Sequence, residues 1–398
     1  MMQAFIREHR EEDVRQLALK GSQYPDVDMA YALQQIAGWQ AARKKLPTWA
    51  ATDGIVYPPH LSMEQCSSEE TAGYKARVCE RITSRRDTFV DLTGGFGVDF
   101  SFMSRPFKQA VYVEQQEHLC EAASVNFRLL GLNQARVVQG DGVDYLHKMG
   151  EVCMIYLDPA RRNAQGGRTF AISDCTPDVV ALRDELLKKA GWVMVKLSPM
   201  LDWHKAVSDL GREFVREVHI VSVNNECKEL LVVLSGRHPV QPITVFCVND
   251  NDVFSFVDAA FEADGDAAFS ATTTIPQPTE FLYEPNASIM KAGCFDALMR
   301  RFNMQVLGAN SHLFVSPHFI ADFPGRRFQI SAISSMNKKE VKAMLNSVGQ
   351  ANVAVRNFPL SVAELRKRLK LKDGGSYYLF ATTLQKGSHV LMLCEKKA

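Results

Sequence analysis

A chain of 398 residues is long enough for two or three domains. Charged residues make up 23% of the chain, and no apolar run approaches the roughly 18 residues that a membrane helix needs. The sequence therefore predicts a protein without a membrane span, expected in the cytoplasm. Nine cysteines without paired spacing indicate neither a disulfide framework nor a zinc site, so no metal is expected. The N-terminal residues contain acids and no apolar core, which is unlike a secretory signal.

Residues 1–85 predict a mostly helical N-terminal region. Met29, Leu33 and Ile36 recur on one helical face, and Pro47 ends that helix. Ser67 followed by Glu70 predicts a capping box at the start of a second helix, which ends near residue 82.

The segment 88–114 is the most informative part of the chain. An apolar strand over 89–92 enters Asp91-Leu92-Thr93-Gly94-Gly95-Phe96-Gly97, and a second strand over 110–113 closes on Glu114. Glycines permit a tight turn and close approach to a ligand, and a strand-end carboxylate can accept hydrogen bonds from ribose hydroxyls. A dinucleotide fingerprint would need glycine where Phe100 stands, and Asp91 suits a ligand with a cationic amino group. The pattern favours a nucleoside cofactor without a pyrophosphate.

An alternation of helices and strands continues to residue 234. Helices are predicted over 116–130 and 177–190, strands over 135–139, 153–157 and 191–197, and a hairpin of strands over 217–223 and 229–234. This order predicts a parallel sheet with an antiparallel edge. Asp141 follows the third strand and Asp158 the fourth, at the sheet edge where open α/β folds bind ligands.

These motifs resemble the class I S-adenosylmethionine-dependent methyltransferases over residues 86–236. The resemblance implies an α/β fold with a Rossmann-like, seven-stranded sheet and S-adenosyl-L-methionine as cofactor. It implies that Glu114 holds the ribose and that Asp141 faces the adenine, although Asp141 also fits an ordinary helix N-cap. The methionine part would lie in the first loop, on Asp91, Thr93, Gly95 and Gly97.

The fourth strand ends in Asp158-Pro159-Ala160-Arg161, which the resemblance places beside the transferred methyl group. Methyltransferases that act on exocyclic amines of bases have Asp or Asn, two prolines and an aromatic residue there. Asp158, Pro159 and Arg161 are therefore the candidate catalytic residues, and the guanidinium of Arg161 can stack on a base. The long connection 160–178, with Arg162 and Arg168, fits either a substrate-facing rim or a solvated loop.

The fourth-strand motif also resembles the RNA uracil-C5 methyltransferases, which need a cysteine after the fifth strand. Lys196-Leu197-Ser198-Pro199 offers none at that place. Cys153 is expected to pack as a small apolar residue, whereas Cys175, predicted to lie in a loop, stays open as a nucleophile.

Charge divides the rest of the chain. Residues 326–398 contain fourteen Lys and Arg against four Asp and Glu, a net charge of +10, whereas 237–310 carry nine acids against four bases, a net charge of −5. This asymmetry predicts separate modules, the basic one facing a polyanion. Residues 237–325 are expected to form a small, ferredoxin-like α+β module with a helix over 288–302.

The segment 326–398 predicts the order βαβαββ, with a capping box from Ser361 to Glu364. With Arg356-Asn357-Phe358-Pro359 and Leu365-Arg366-Lys367-Arg368-Leu369, this order resembles the THUMP-like domain found behind methyltransferase domains in bacterial proteins. Since THUMP domains bind structured RNA, the resemblance implies RNA contacts, although the cluster could also be a solvated helix face. The residues are Arg356, Arg366, Lys367, Arg368 and Lys370.

Together these features predict an S-adenosylmethionine-dependent methyltransferase that modifies a base nitrogen of RNA, either tRNA or rRNA. A small-molecule or protein methyltransferase would not need the basic C-terminal segment. A catalytically inactive RNA-binding relative is the other alternative, for which Ala160 and Arg161 leave room. The sequence does not indicate an oligomeric state.

Overall fold

A computed structural model describes residues 2–161, 172–237, 241–258, 276–308 and 310–397, apart from the side chain of Arg161. The chain divides into two compact units. The first comprises Met1–Val223 and Lys228–Ile243, and the second comprises Asn224–Cys227 and Thr244–Ala398. Within the described ranges, no helix is both long and apolar enough to cross a bilayer.

Six helices form the N-terminal part of the first unit: α1 (Met2–His9), α2 (Val14–Leu19), α3 (Met29–Lys45), α4 (Pro47–Ala51), α5 (His60–Gln65) and α6 (Glu69–Ile82). The predicted capping box at α6 is wrong by one residue. Ser68 is the N-cap and accepts from the backbone N–H of Thr71 at 3.3 Å. Ser67 is buried instead and donates to Asp99 Oδ2 at 2.8 Å.

The rest of the first unit alternates strands and helices. In chain order they are β1 (Thr88–Asp91), α7 (Val98–Met103), β2 (Gln109–Glu114), α8 (Glu117–Leu129), β3 (Ala135–Gln139), α9 (Gly142–Lys148), β4 (Val152–Leu157), β5 (Ala160–Arg161), β6 (Cys175–Thr176), α10 (Val179–Lys189), β7 (Ala190–Leu197), α11 (Trp203–Leu210), β8 (Val215–Val223) and β9 (Glu226–Leu234). Within the first unit, the strands of the main sheet follow the order β3-β2-β1-β4-β7-β9-β8. The pairs from β3 to β7 are parallel and β9 runs antiparallel to β7, which confirms the predicted fold class.

Strand register gathers the candidate residues at one edge. Asp91, the last residue of β1, lies opposite Tyr112 of β2 and Tyr156 of β4. Because the carboxyl ends of parallel strands meet at the same edge, the residues that follow β1, β2, β3 and β4 surround one space.

Two glycines of the first loop are required by the rings packed beneath them. A Cβ on Gly94 would lie 2.3 Å from Tyr112, and one on Gly97 would lie 2.8 Å from Phe127. Gly97 also has φ +86°, which side chains disfavour. Phe100 stands where a dinucleotide fingerprint has its third glycine. Its ring packs in the same aromatic core.

The second unit contains β10 (Thr244–Asn249) and β11 (Asp252–Val257), an antiparallel pair. Next come β12 (Phe281–Pro285), α12 (Ala287–Ala292), α13 (Phe295–Phe302), β13 (Gln305–Val306), β14 (Phe314–Ser316), β15 (Gly325–Ser334), α14 (Lys338–Met344), β16 (Asn352–Arg356), α15 (Val362–Leu369), β17 (Tyr377–Thr383) and β18 (His389–Lys397). The sheet order is β13-β14-β12-β15-β18-β17-β16. The single helix predicted over 288–302 is two helices, because Gly293 adopts a left-handed conformation with φ +68°.

From β15 to β18 the predicted order βαβαββ is present, and so is the Ser361–Glu364 capping box. Alternate residues of β17 and β18, such as Leu379 and Leu391, pack in one cluster with residues of both α14 and α15. The two helices therefore cover the same face of the sheet. Several cations of these helices and of the residues that follow α15 are exposed: Lys338, Lys339, Lys342, Lys367, Arg368, Lys370 and Lys372.

Candidate active site

A cavity of about 380 Å³ opens at the carboxyl edge of the first unit's sheet. The glycine loop, the residues after β2, β3 and β4, and Lys196 of β7 line it. Of the sequence-predicted residues, those that line this space are Asp91, Thr93, Gly95, Gly97, Glu114, Asp141 and Asp158. Pro159, the residue after Asp158, is buried.

Glu114 and Tyr112 hold the glycine loop from two sides. Glu114 Oε2 accepts from the backbone N–H of Gly95 at 2.9 Å, and its Oε1 accepts from the N–H of Gln116 at 2.9 Å. The Tyr112 hydroxyl donates to the carbonyl of Gly95. The loop is thus fixed before a ligand arrives, with a carboxylate at its rim.

Asp91 is almost fully buried at the base of this loop, with 1% exposure. Its Oδ1 accepts from the backbone N–H of Thr93 at 2.9 Å. Burial raises the pKa of Asp91 to about 8, although the hydrogen bond from Thr93 opposes that shift. At neutral pH the carboxyl group therefore carries a proton, which a cationic ligand group would displace.

Asp141 acts as the N-cap of α9. Its Oδ1 accepts from the backbone N–H groups of Val143 at 2.7 Å and Asp144 at 3.0 Å. Its Oδ2 accepts from the Gln115 side-chain amide at 2.6 Å. The capping role is thus present, and the contact with an adenine stays a prediction.

Asp158 connects two strand ends. Its backbone N–H donates to the Thr93 hydroxyl at 2.7 Å, and its Oδ2 lies 2.5 Å from Lys196 Nζ. Oδ1 makes no hydrogen bond with a described residue, and the side chain is 39% exposed. One carboxylate oxygen is therefore anchored while the other stays available to a ligand.

The residues after Asp158 form a short ribbon. β5 pairs with β6, so that Ala160 lies opposite Thr176 and Arg161 opposite Cys175. The loop predicted for Cys175 is wrong, because the residue belongs to a strand and is 5% exposed. The side chain of Arg161, and both Arg162 and Arg168, lie outside the described residues.

The sequence motifs did not indicate a role for Lys196, although a lysine within the apolar strand β7 is an unusual feature. It is 12% exposed, and its three donors have three acceptors: Asp158 Oδ2 at 2.5 Å, Ser67 Oγ at 3.3 Å and Asp99 Oδ2 at 3.4 Å. Burial opposes its charge, but Asp158 and Asp99 raise the pKa of Lys196 above its ordinary value. It is a permanent cation beside the candidate catalytic carboxylate.

Behind Lys196 lies a second, fully buried lysine. Lys75 of α6 contacts Glu229 at 2.6 Å and Asp99 Oδ1 at 3.1 Å, and its side chain has no exposed surface. Tyr156 donates to Asp99 Oδ2 at 2.8 Å. Burial opposes ionisation of Asp99, but the two lysines hold the pKa of Asp99 below its ordinary value. Burial raises the pKa of Glu229. We call Lys75, Asp99, Lys196, Glu229 and Asp158 the charge network.

The predicted RNA-binding residues belong to the second unit and do not all share one environment. Arg356 donates to Glu284 Oε1 at 2.6 Å, and Arg366 donates to Asp373 Oδ1 at 2.6 Å. Lys367, Arg368 and Lys370 are exposed around the end of α15. Of the five predicted residues, Lys367, Arg368 and Lys370 are therefore the best placed to contact a phosphate.

Comparisons with known proteins agree with this architecture. A family described as a THUMP domain-like domain matches residues 325–396, and a family described as a ferredoxin-like domain matches residues 281–324. No curated protein matches the chain. Among the described residues, no group of acidic, histidine and cysteine side chains could hold a metal ion.

Two solved structures with low similarity are an rRNA methylase from Streptococcus thermophilus and a ribosomal protein L11 methylase from Lactobacillus delbrueckii subsp. bulgaricus. The first is 14% identical, with 42% of this chain and 96% of that chain covered and a TM-score of 0.32. The second is 13% identical, with 42% and 80% covered and a TM-score of 0.32. Such scores support no inference about the substrate.

A third structure matches the whole chain. It is a crystal structure from Porphyromonas gingivalis W83, provisionally named a methyltransferase, with 32% identity, a TM-score of 0.85, and 100% of this chain and 98% of that chain covered. Identity at this level over the full length confirms the resemblance found in the sequence. The chain belongs to the same family, the class I methyltransferases that carry a C-terminal THUMP-like domain.

Proposed function

We propose that this methyltransferase uses S-adenosyl-L-methionine to methylate a base nitrogen of RNA. The observation that carries the proposal is one cavity that combines a glycine loop and Asp91 with the Asp158–Lys196 pair. The THUMP-like match and the exposed cations of α14 and α15 support RNA as the substrate. We also propose the module boundaries of the sequence prediction, with the cofactor on 86–236 and RNA contacts on 326–398.

The residues of the cavity fit the proposed cofactor. The Glu114 carboxylate can accept from a ribose diol, and the buried Asp91 can pair with an α-ammonium group. The glycine loop admits the close approach of a ligand to the backbone. When bound, S-adenosylmethionine would supply an activated methyl group on its sulfonium, and S-adenosylhomocysteine would be the leaving group.

Asp158 is the residue that we assign to the acceptor. Oδ1 can accept a hydrogen bond from the amino group and so aim the nitrogen lone pair at the methyl group. Because the three donors of Lys196 already have acceptors, Lys196 acts through Asp158 and is a positioning residue. The proton released by the nitrogen passes to solvent.

The direct test of the function compares nucleosides from a deletion strain with those of its parent by mass analysis. We expect one methylated nucleoside to be lost, and purified enzyme with S-adenosylmethionine to restore it in RNA from the deletion strain. An unchanged nucleoside profile, together with methylation of a protein or small molecule, would favour the alternative substrate classes.

Glu114→Ala should weaken S-adenosylmethionine binding by about 1.5–3 kcal/mol, the scale of a lost charge-assisted hydrogen bond. The parent protein should bind with a micromolar dissociation constant, about −8 kcal/mol. Isothermal calorimetry measures both, and Glu117→Ala, which removes an exposed carboxylate nearby, is the matched control. Preferential binding of NAD by the parent would contradict the assignment.

Cofactor affinity should depend on pH through Asp91. Below pH 8 the free protein holds a proton on Asp91 that must leave when the ammonium binds, so affinity should rise with pH by up to about tenfold per unit. Above pH 8 the α-amino group itself loses its proton, and affinity should fall. Asp91→Asn should bind more weakly and lose the rising limb. Calorimetry from pH 6 to 9 checks this.

RNA binding should weaken with salt in proportion to the phosphates contacted. Neutralising Arg366, Lys367 and Arg368 together, each to glutamine, should weaken binding and reduce the log–log salt slope by up to about 2–3. Because Arg366 already pairs with Asp373, we expect the lower part of that range. A filter-binding titration across salt concentrations measures the slope.

The matched control for this triple variant neutralises three exposed arginines of the first unit: Arg15, Arg85 and Arg105. The control should retain the parent slope, and both variants should retain cofactor affinity. If the α15 variant binds structured RNA as tightly as the parent, its cations form only a solvated helix face.

A further inference from the structure

A second cavity, of about 250 Å³, lies among the N-terminal helices of the first unit. None of its lining residues lines the active-site cavity. Ile6 and Ile55 contribute apolar wall, Trp39 and Tyr57 contribute aromatic wall, and Arg7 and Arg10 contribute positive charge. The space is smaller than a typical drug-sized site, so it suits one compact ligand group.

Two guanidinium groups at this cavity are incompletely paired. Arg7 Nη1 and Arg10 Nη1 each lie 3.8 Å from a carboxylate oxygen of Asp53, too far for a hydrogen bond. Neither guanidinium donates a hydrogen bond to a described residue. Two cations share one carboxylate, so the cavity carries excess positive charge and unused donors that suit a phosphate.

The aromatic wall is held in a fixed position. The guanidinium carbon of Arg10 lies 4.5 Å from the centre of a Trp39 ring. The Trp39 indole N–H donates to the carbonyl of Ala50 at 3.0 Å. Gln40 fixes the backbone of Arg10 by donating to its carbonyl at 2.9 Å. The Arg10 guanidinium on the anchored Trp39 ring forms a planar surface of the kind on which bases stack.

Tyr57 adds an unused hydrogen-bonding group. Its backbone is fixed by α3, because Gln35 donates to its carbonyl at 2.9 Å and accepts from its N–H at 2.8 Å. The residue is 3% exposed, and its hydroxyl has no partner among the described residues. Burial raises the pKa of Tyr57, which keeps the hydroxyl protonated and able to donate. An unpaired buried hydroxyl costs free energy that a ligand acceptor would offset.

We propose that this cavity binds one nucleotide of the RNA substrate, with its phosphate on Arg7 and its base on the Arg10 guanidinium that covers Trp39. The Tyr57 hydroxyl donates to an acceptor on the same nucleotide. The proposal rests on RNA being the substrate, and it adds a contact in the first unit to the cations of the second. Tyr57 also lies beside Phe96 of the glycine loop, with ring centres 6.5 Å apart, so this subsite adjoins the cofactor loop.

Tryptophan fluorescence tests the proposal on the full-length protein, with saturating S-adenosylhomocysteine so that the active-site cavity is filled. The probes are a short single-stranded oligouridylate, uridine 5′-monophosphate and inorganic phosphate. We expect the oligouridylate to quench fluorescence with higher affinity than the mononucleotide, and Trp39→Phe to remove the quenching. Arg10→Ala should weaken binding at least tenfold and Tyr57→Phe several-fold, whereas Arg15→Ala, which lies outside the cavity, should leave it unchanged.

The proposal is overturned if Arg10→Ala binds the oligouridylate as the parent does, or if quenching survives Trp39→Phe. It is also overturned if only the free mononucleotide or phosphate binds, because the cavity would then hold a small anion instead of an RNA strand. Tyr57→Phe is nearly isosteric and keeps the test valid if the larger substitutions unfold the protein. The titration does not measure methyl transfer, so RNA that binds here without being methylated would contradict the proposed function and leave this subsite standing.

Discussion

Replacing Asp158 with alanine should slow methyl transfer by about 10²- to 10³-fold, the effect of removing one preorganised polar contact from a reacting centre. Affinity for S-adenosylmethionine should change by no more than a few-fold, because the assigned contact of Asp158 is to the acceptor. Single-turnover methylation of RNA from the deletion strain measures the first quantity, and calorimetry measures the second. Methyl transfer at the parent rate would show that Asp158 only completes the turn after β4.

Variants of Lys196 separate positioning from direct contact. Lys196→Met leaves Asp158 without its anchor at 2.5 Å, so methyl transfer should fall while cofactor affinity stays close to that of the parent. Lys196→Arg should recover part of the rate, and added alkylammonium ions should partly rescue the shorter Lys196→Ala. A free cation cannot replace a residue that only fills space. If added alkylammonium ions do not rescue Lys196→Ala, the role of Lys196 is packing alone.

Strand-end chemistry made the active-site cavity predictable. Asp91, Glu114 and Asp158 follow apolar runs of strand length, and the carboxyl ends of parallel strands must meet at one edge. The capping box at Ser361 was equally readable, because it depends only on residues three positions apart. Such local rules do not require knowledge of the tertiary fold.

The charge network could not be predicted from the sequence, because its members are far apart along the chain. Lys75 looks like an ordinary lysine of an amphipathic helix until Glu229, 154 residues later, is placed against it. The same network explains why the N-cap prediction at Ser67 was wrong by one position. A buried site that needs the Ser67 hydroxyl overrides the local preference for a cap, and Ser68 serves as the cap in its place.

Replacing Lys75 with methionine should lower the free energy of unfolding by about 3–5 kcal/mol, since the change removes the cation that contacts the buried Glu229. Lys196 would then face Asp99, Glu229 and Asp158 alone. Lys75→Met together with Glu229→Leu removes both partners, and this pair should recover much of the loss. Lys108→Met, which breaks an exposed pair with Asp87, is the matched control and should change stability little.

The loss in Lys75→Met should also depend on pH, through Glu229. Burial already raises the pKa of Glu229 in the folded protein, and removing Lys75 takes away the cation that opposes this shift. A carboxyl group with a raised folded-state pKa favours folding at low pH, and that contribution is lost as pH rises through the raised value. The deficit relative to the parent should therefore be smaller at pH 5 than at pH 8 in urea denaturation. If the loss of stability is the same at pH 5 and pH 8, Glu229 is not the group that carries the uncompensated charge.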